Sequence, residues 1–230
     1  EKLSEQLSPQ SKELIRSSVG YLVDWRDSAT PKLLYQLFDT EVKIRVATRP
    51  LTANIKRQGV RSFGYGTLFV SPKLTEDFPE DALKILDSAA QVGLGVYSVE
   101  SSTTPVGIDL GSRYFKVISK PNVLLASGAG TNAYRVGEIW HLLDTRVQMP
   151  VTRVGLERLV NVDLSNYTHL LLTDPPKSSQ EDLATKISSF VRSGGIMWVQ
   201  GDKALKWIDK QSLSDLIFKE SKLSQDRSAL

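Results

Sequence analysis

The sequence predicts an α/β protein whose C-terminal half is a doubly wound parallel sheet, preceded by a smaller α/β region. Two observations lead to this prediction. Short apolar runs, bounded by proline or glycine, alternate with stretches of helical periodicity, which is the order of strand–helix–strand units. The connections between these segments are short, as in parallel sheets with crossover helices. Hydrophobic residues at 40% and charged residues at 24% are typical of a globular protein.

The first region is predicted to be an α/β linker domain over residues 19–120. Helix signals occur at Thr30-Pro31, with Thr30 as the expected cap, and at Pro79, where a second helix opens. Residues 54–65 have no hydrophobic period and are rich in Arg, Lys and Gly, so they predict a loop. The strands are expected at residues 20–25, 42–46, 66–71 and 96–99.

The second region, residues 121–218, has the clearer strand and helix signals. One helix is expected at residues 133–143, with Trp140 buried against the sheet. A capping box of Ser179 and Asp182 introduces a second helix, which ends at Gly194-Gly195. Strands are expected at residues 123–126, 151–154, 169–173 and 196–199, of which the first, third and fourth are expected to be buried.

The two ends of the sequence are polar and lack hydrophobic periodicity. Residues 1–18 predict a flexible N-terminal segment, and residues 219–230 predict a polar tail. The sequence begins with Glu1 and not with methionine, so we expect it to be an excised or processed piece of a longer protein.

Composition excludes several classes of function. The absence of cysteine excludes disulfides, thiolate nucleophiles and cysteine zinc sites. The net charge of +3 is scattered along the chain, and this argues against nucleic acid as a partner. No apolar run approaches the roughly 20 residues that a membrane span needs. Neither the G-x-S-x-G motif nor the phosphate-binding P-loop motif occurs.

A glycine-rich turn is the main candidate for ligand binding. Residues 128–133 match G-x-G-x-x-A between a predicted strand and helix, the context in which glycines let a pyrophosphate approach a helix N-terminus. The candidate ligand-binding residues are Gly128, Gly130, Thr131 and Glu138. A tight turn without a ligand is the alternative, and it is favoured because the expected ribose-binding acid is missing from its usual place. Asp144 comes too early for that role, and Glu157 lies a few residues beyond the next strand.

No metal site is predicted. His141 and Asp144 form H-x-x-D with helical spacing, and the only other histidine is His169. Because catalytic zinc usually takes three protein ligands, two histidines and no cysteine predict no metal ligand in this chain. We interpret His141 as a surface histidine near a helix C-terminus, where the helix dipole favours it.

Several segments together resemble a known family. GEIWHLLD at residues 137–144 and MPVT at residues 149–152 are similar to the class I glutamine amidotransferase-like region at the C-terminus of bacterial zinc-carboxypeptidase-like proteins, which are metallopeptidases of the carboxypeptidase A type. YLVDWRD at residues 21–27 and GTLFV at residues 66–70 resemble the linker region of the same group. The resemblance spans about residues 20–207 and implies a flavodoxin-like fold for the second region.

The resemblance also implies a function without catalysis in this chain. Zinc and its ligands are expected only in a peptidase module that these residues do not include, so no cofactor is expected here. Where an amidotransferase places its cysteine nucleophile, this chain has a degenerate elbow at Gly201-Asp202. We therefore expect an accessory region whose partner is the peptidase module of its own parent chain. An exported or periplasmic location and a homo-oligomer are also expected. The alternative is an independent nucleotide- or small-ligand-binding domain that uses the Gly128–Gly130 turn.

Overall fold

The computed structural model describes residues 14–75, 77–176 and 181–213. The chain divides into two compact units: the first runs to Lys120 and the second begins at Pro121, except that Arg146–Met149 group with the first. Most of the predicted flexible segment at residues 1–18 lies outside the described residues. The predicted tail at residues 219–230 and Ser179 of the predicted capping box lie outside them as well.

The first unit is built on a five-stranded antiparallel sheet. Its strand order is β6-β1-β5-β2-β7, and β3 and β4 form a separate antiparallel hairpin. This region is not the smaller one, because the first unit comprises residues 1–120 and 146–149, whereas the second comprises residues 121–145 and 150–230. Its elements are β1 (Tyr21–Val23), α1 (Thr30–Phe38), β2 (Ile44–Ala47), β3 (Leu51–Ile55), β4 (Gly59–Phe63), β5 (Leu68–Val70), α2 (Glu80–Gln91), β6 (Val96–Ser98) and β7 (Phe115–Ile118).

Both faces of this sheet are buried. Successive side chains of a strand point to opposite faces, so Tyr21 and Val23 join the cluster with the helices α1 and α2. Leu22 belongs instead to the cluster with the β3–β4 hairpin. The sheet is therefore a middle layer between two helices and a hairpin.

Two predictions for the first unit are wrong. Residues 54–65 are not a loop, because most of them belong to the β3–β4 hairpin, in which Leu51, Ala53 and Ile55 alternate into the core. Residues 54–65 hold only the end of β3, and Phe63 is the one buried residue of β4, so the stretch shows no hydrophobic period. Thr30 is also not the helix cap: Ala29 holds that position. The buried Thr30 hydroxyl instead donates a hydrogen bond to the Asp24 carbonyl oxygen at 3.0 Å.

The second unit is a mixed α/β structure with a four-stranded, wholly parallel sheet. The prediction of an α/β fold with a parallel C-terminal sheet is thereby confirmed. The strand order is β11-β10-β8-β9. The elements are β8 (Val123–Ser127), α3 (Ala133–Trp140), β9 (Val151–Gly155), β10 (His169–Leu172), α4 (Glu181–Arg192), β11 (Ile196–Val199) and α5 (Asp202–Lys210). A π-helical turn, His141–Arg146, continues α3.

Burial falls from the centre of this sheet to its edges. Leu124, Leu125 and Ala126 of β8 are fully buried. The predicted burial of the fourth strand is wrong, because Ile196 and Trp198 of β11 are 54% and 44% exposed. They are exposed because β11 is an edge strand. The predicted burial of Trp140 is also wrong, because the residue is only half-buried, and the guanidinium of Arg153 lies 4.6 Å from its ring centroid.

Substitution by alanine at two glycines of the second unit should change the stability of the protein in opposite directions. A Cβ at Gly195 would collide with the buried Phe190 ring, so Gly195→Ala should destabilise the protein by about 1–3 kcal/mol through overpacking. A Cβ at Gly137, inside α3, would meet no atom within 4 Å. Gly137→Ala should therefore stabilise the protein by about 0.5–1 kcal/mol. Urea denaturation followed by circular dichroism measures both changes, and equal shifts for the two variants would contradict the packing argument.

The second unit should lose stability in mild acid through His169. Burial lowers the pKa of His169, the first residue of β10, from its ordinary value. The unfolded chain therefore takes up a proton before the folded chain does. Stability should be complete above pH about 6.5 and decline as the pH falls below that value. Urea midpoints between pH 5 and pH 8 test this: His169→Gln should flatten the decline. His141→Gln removes the only other histidine and should retain it.

Candidate functional site

The strand order of the second unit places a candidate site at one edge of its sheet. From β8 the chain passes to β9 on one side, and from β9 it returns to β10 on the other side of β8. The order therefore reverses between β8 and β10. Open parallel sheets bind ligands beside such a reversal, outside the carboxyl ends of the strands. Three segments begin at this edge, after β8, β10 and β11 respectively: the Gly128 turn, Thr173-Asp174 and Gly201-Asp202.

The Gly128 turn is closed by its own hydrogen bonds. Gly128 and Gly130 have φ values of 87° and 94°, in the left-handed region that glycine adopts without strain. The backbone N–H and the hydroxyl of Thr131 both donate to the Gly128 carbonyl, at 3.1 and 2.8 Å. A Cβ at Gly128 would lie 3.4 Å from the Cα of Gly155 in β9. The glycine and the threonine thus have roles in the turn that require no ligand.

The N-terminus of α3 is satisfied by protein groups. The Asn132 side chain caps the helix, because its Oδ1 accepts hydrogen bonds from the backbone N–H groups of Tyr134 at 3.0 Å and Arg135 at 3.2 Å. The Asn132 backbone N–H donates to Oδ2 of Asp174 at 2.7 Å. A carboxylate of the protein therefore lies at the helix terminus, where a dinucleotide-binding protein places a phosphate.

Asp174 is the centre of this arrangement. Its residue is only 8% exposed, and Oδ2 also accepts a hydrogen bond from the Thr173 hydroxyl at 3.0 Å. Nη1 of Arg135 lies 3.7 Å from Oδ1 and balances the charge. Neither Asp174 nor Arg135 was predicted as a site residue. The available signal was an acidic residue directly after a buried apolar strand of a parallel sheet.

The predicted elbow has its unusual backbone at Gly201. The φ of Gly201 is 96° and its ψ is 146°, whereas Asp202 is exposed and begins α5. A Cβ at position 201 would lie 2.8 Å from Nη1 of Arg135. The guanidinium thus occupies space that a side chain at the elbow would need. His169, at the start of β10, and His141, just after α3, lie toward the opposite edge of the sheet.

Two acidic residues near the turn have different positions. Glu138 is exposed in the last turn of α3, so the structure does not bring it to the Gly128 turn. Glu157 follows β9 by two residues, and its Oε2 would lie 3.7 Å from a Cβ at Gly128. Glu157 is therefore the acidic residue that lies beside the turn at the end of the second strand of the unit. Oε1 of Glu157 lies 3.9 Å from Nε of Arg158.

Two kinds of feature are absent from the part of the chain that the structure describes. No group of three or more His, Cys, Asp or Glu residues there is placed to hold a metal ion. Within the same residues, no helix combines the length and the apolar character needed to cross a membrane.

Comparisons with protein-family models, curated proteins and solved structures found no match to this chain.

Asp174 should support the fold of the second unit. Asp174→Ala leaves the Asn132 N–H and the buried Thr173 hydroxyl without their acceptor, and a buried hydroxyl without a partner costs about 1–3 kcal/mol. Asp174→Asn keeps one acceptor oxygen and should cost less. The exposed Asp202 provides the control, because Asp202→Ala should change stability by less than about 0.5 kcal/mol. Urea denaturation compares the three variants, and an equal effect of Asp174→Ala and Asp202→Ala would contradict this role.

Proposed function

We propose that this chain is a non-catalytic accessory region of a zinc-carboxypeptidase-like protein, with an amidotransferase-like second unit. The observation that carries the proposal is that protein side chains occupy the carboxyl edge of the parallel sheet. Where an active amidotransferase needs an open site, Asp174 and Arg135 lie against each other and against the helix terminus. The resemblance of residues 137–144 and 149–152 supplies the family, and the geometry supports the absence of catalysis.

The arrangement of the second unit supports a flavodoxin-like, doubly wound fold. Numbered from β8, the strands run in the order 2-1-3-4, which is the beginning of the flavodoxin-like order. Leu124 and Ala126 of β8 pack in one cluster with α4. Leu125 points to the opposite face, and the buried residues of α3, Val136 and Ile139, do not belong to that cluster. This distribution is consistent with helices on both faces of the sheet.

The residues available at the elbow support the absence of catalysis there. Amide hydrolysis by an amidotransferase needs a thiolate, a base beside it and donors for the oxyanion. The chain has no cysteine, and the carboxylate of Asp202 is a much weaker nucleophile than a thiolate. Both histidines lie away from the elbow. At the helix terminus, the negative charge of Asp174 opposes a developing oxyanion.

The proposed partner is the peptidase module of the parent chain. Zinc and its ligands would belong to that module, and an exported or periplasmic location follows from the same resemblance. The two units described here would support folding or substrate presentation for that module.

A second candidate function is the binding of a nucleotide or another small ligand at the Gly128 turn. The position of Glu157 favours it, because an acid at the end of the second strand is where a ribose hydroxyl is bound. Against it stands Asp174: a phosphate at the helix terminus would have to displace a carboxylate that already accepts the Asn132 N–H.

The unmodified chain should release no ammonia from glutamine, and Asp202→Cys alone should release none either. Without a base beside it, the introduced thiol stays mostly protonated at neutral pH. Measurement of ammonia release by the wild type, Asp202→Cys and Asp202→Ala tests this. Release by the wild type that Asp202→Ala abolishes would overturn the non-catalytic assignment.

Calorimetry with NAD and NADP tests the second candidate function, and micromolar affinity for either dinucleotide would favour that function over the accessory role.

The accessory role itself is tested with the parent gene. The coding sequence upstream of Glu1 should contain H-x-x-E followed by a distant histidine. The peptidase module should then be produced with this region, without it, and with Asp174→Ala in it. We expect a lower soluble yield or a lower kcat/KM without the region. An upstream sequence with no such motif would refute the family assignment, and equal yield and activity in all three forms would refute the accessory role.

A further inference from the structure

The first unit contains an open groove that the proposed function does not use. Its volume is about 690 Å³, within the range of about 300–1,000 Å³ that is usual for small-molecule sites. Arg49 lines it from the connection between β2 and β3, and residues between Ser102 and Tyr114 line it from the segment before β7. The remaining polar side chains of the groove are Ser102, Thr103 and Ser112.

The walls of this groove are held in place by hydrogen bonds and by the core. The backbone N–H and the hydroxyl of Thr48 donate to the Tyr114 carbonyl, at 2.9 and 2.8 Å. The Leu110 N–H donates to the Ser102 carbonyl at 3.1 Å. Ile108 and Leu110 are buried in the cluster beneath the β3–β4 hairpin. The groove is therefore formed before any ligand arrives.

Two guanidinium groups meet at one tyrosine beside the groove. The Arg49 guanidinium lies 3.8 Å from the centroid of the Tyr114 ring, and the Arg113 guanidinium lies 5.2 Å from it. Arg113 also donates to the Tyr114 hydroxyl at 3.2 Å. Among the ion pairs of the described residues, none includes Arg49 or Arg113. Both positive charges thus lack a carboxylate partner in that part of the chain.

The one acidic side chain of the groove is already engaged. Oδ1 of Asp109 accepts hydrogen bonds from the backbone N–H of Thr104 at 2.8 Å and from the Thr104 hydroxyl at 3.3 Å. Two arginines against one aspartate leave a positive charge beside the groove. A guanidinium stacked on an aromatic ring keeps the N–H donors at its edge available for bidentate binding of an oxyanion.

We propose that this groove binds a small ligand through a carboxylate or phosphate group, with Arg49 as the main donor and Arg113 as the second positive charge. The hydroxyl of Ser102 lines the same space and provides a neutral donor for the rest of the ligand. The site lies wholly within the first unit. It is independent of the Gly128 turn, of the Gly201 elbow and of the proposed accessory role.

The test is calorimetric titration of the full chain at low salt with three probes. Inorganic phosphate probes the phosphate source. Two short peptides of the same sequence, one with a free C-terminal carboxylate and one with a carboxamide, probe the carboxylate source. We expect saturable binding of phosphate or of the acid peptide with a Kd of about 1 mM or tighter. Arg49→Gln should weaken it at least about tenfold, as loss of a charge-assisted hydrogen bond does.

A matched variant separates a specific site from general attraction to positive charge. Lys116→Gln removes one exposed positive charge from β7 in the same unit and should change the affinity less than about twofold, because exposed charges are screened by solvent. Tyr114→Phe keeps the ring beneath Arg49 and should retain binding. The proposal is overturned if neither phosphate nor the acid peptide binds saturably. It is also overturned if the only binding seen is equal for the acid and amide peptides, or if Lys116→Gln weakens binding as much as Arg49→Gln.

Discussion

The second unit depends on strand β8, which is hydrogen-bonded on both sides and buried in the middle of the sheet. It pairs with β9 along one edge and with β10 along the other, and Leu124, Leu125 and Ala126 have no exposed surface. Because both neighbours are parallel to β8, each connection must cross a face of the sheet before the next strand begins. The reversal of strand order, and hence the position of the candidate site, follows from the central place of β8.

At the candidate site, the positive charge of Arg135 balances the negative charge of Asp174. Asp174 bonds to the α3 terminus and pairs with Arg135, and the missing side chain at Gly201 leaves room for the guanidinium. Gly201 stands at this strand–helix turn with a positive φ, and the space that a side chain there would need is filled by the Arg135 guanidinium. The fold thus keeps the geometry in which ligands commonly bind, while the local chemistry favours stability over binding.

The sequence predicts the parallel sheet because its signals are local. The apolar run of β8 lies between a proline and a glycine turn, and the G-x-G-x-x-A pattern marks the start of α3. The pairing of Asn132 with Asp174 joins positions 42 residues apart, and only the strand order brings them together. The same holds for Arg49 and Tyr114 in the first unit. The exposure of Ile196 and Trp198 also depends on strand order. An apolar run has the same sequence pattern whether its strand lies at the centre or at the edge of a sheet.

The Asp174 carboxylate occupies the N-terminus of α3 as a bound anion would, but it belongs to the same chain. A tethered group has an effective concentration in the millimolar range or above, so a free anion must exceed that concentration or bind with much higher intrinsic affinity. Anionic metabolites that are present at lower levels and have no such higher affinity are therefore excluded from this terminus without any steric barrier. Exchange of Asp174 for asparagine would remove the charge and keep an oxygen for the Asn132 N–H, so a single substitution separates the effect of the charge at the helix terminus from that of the hydrogen bond.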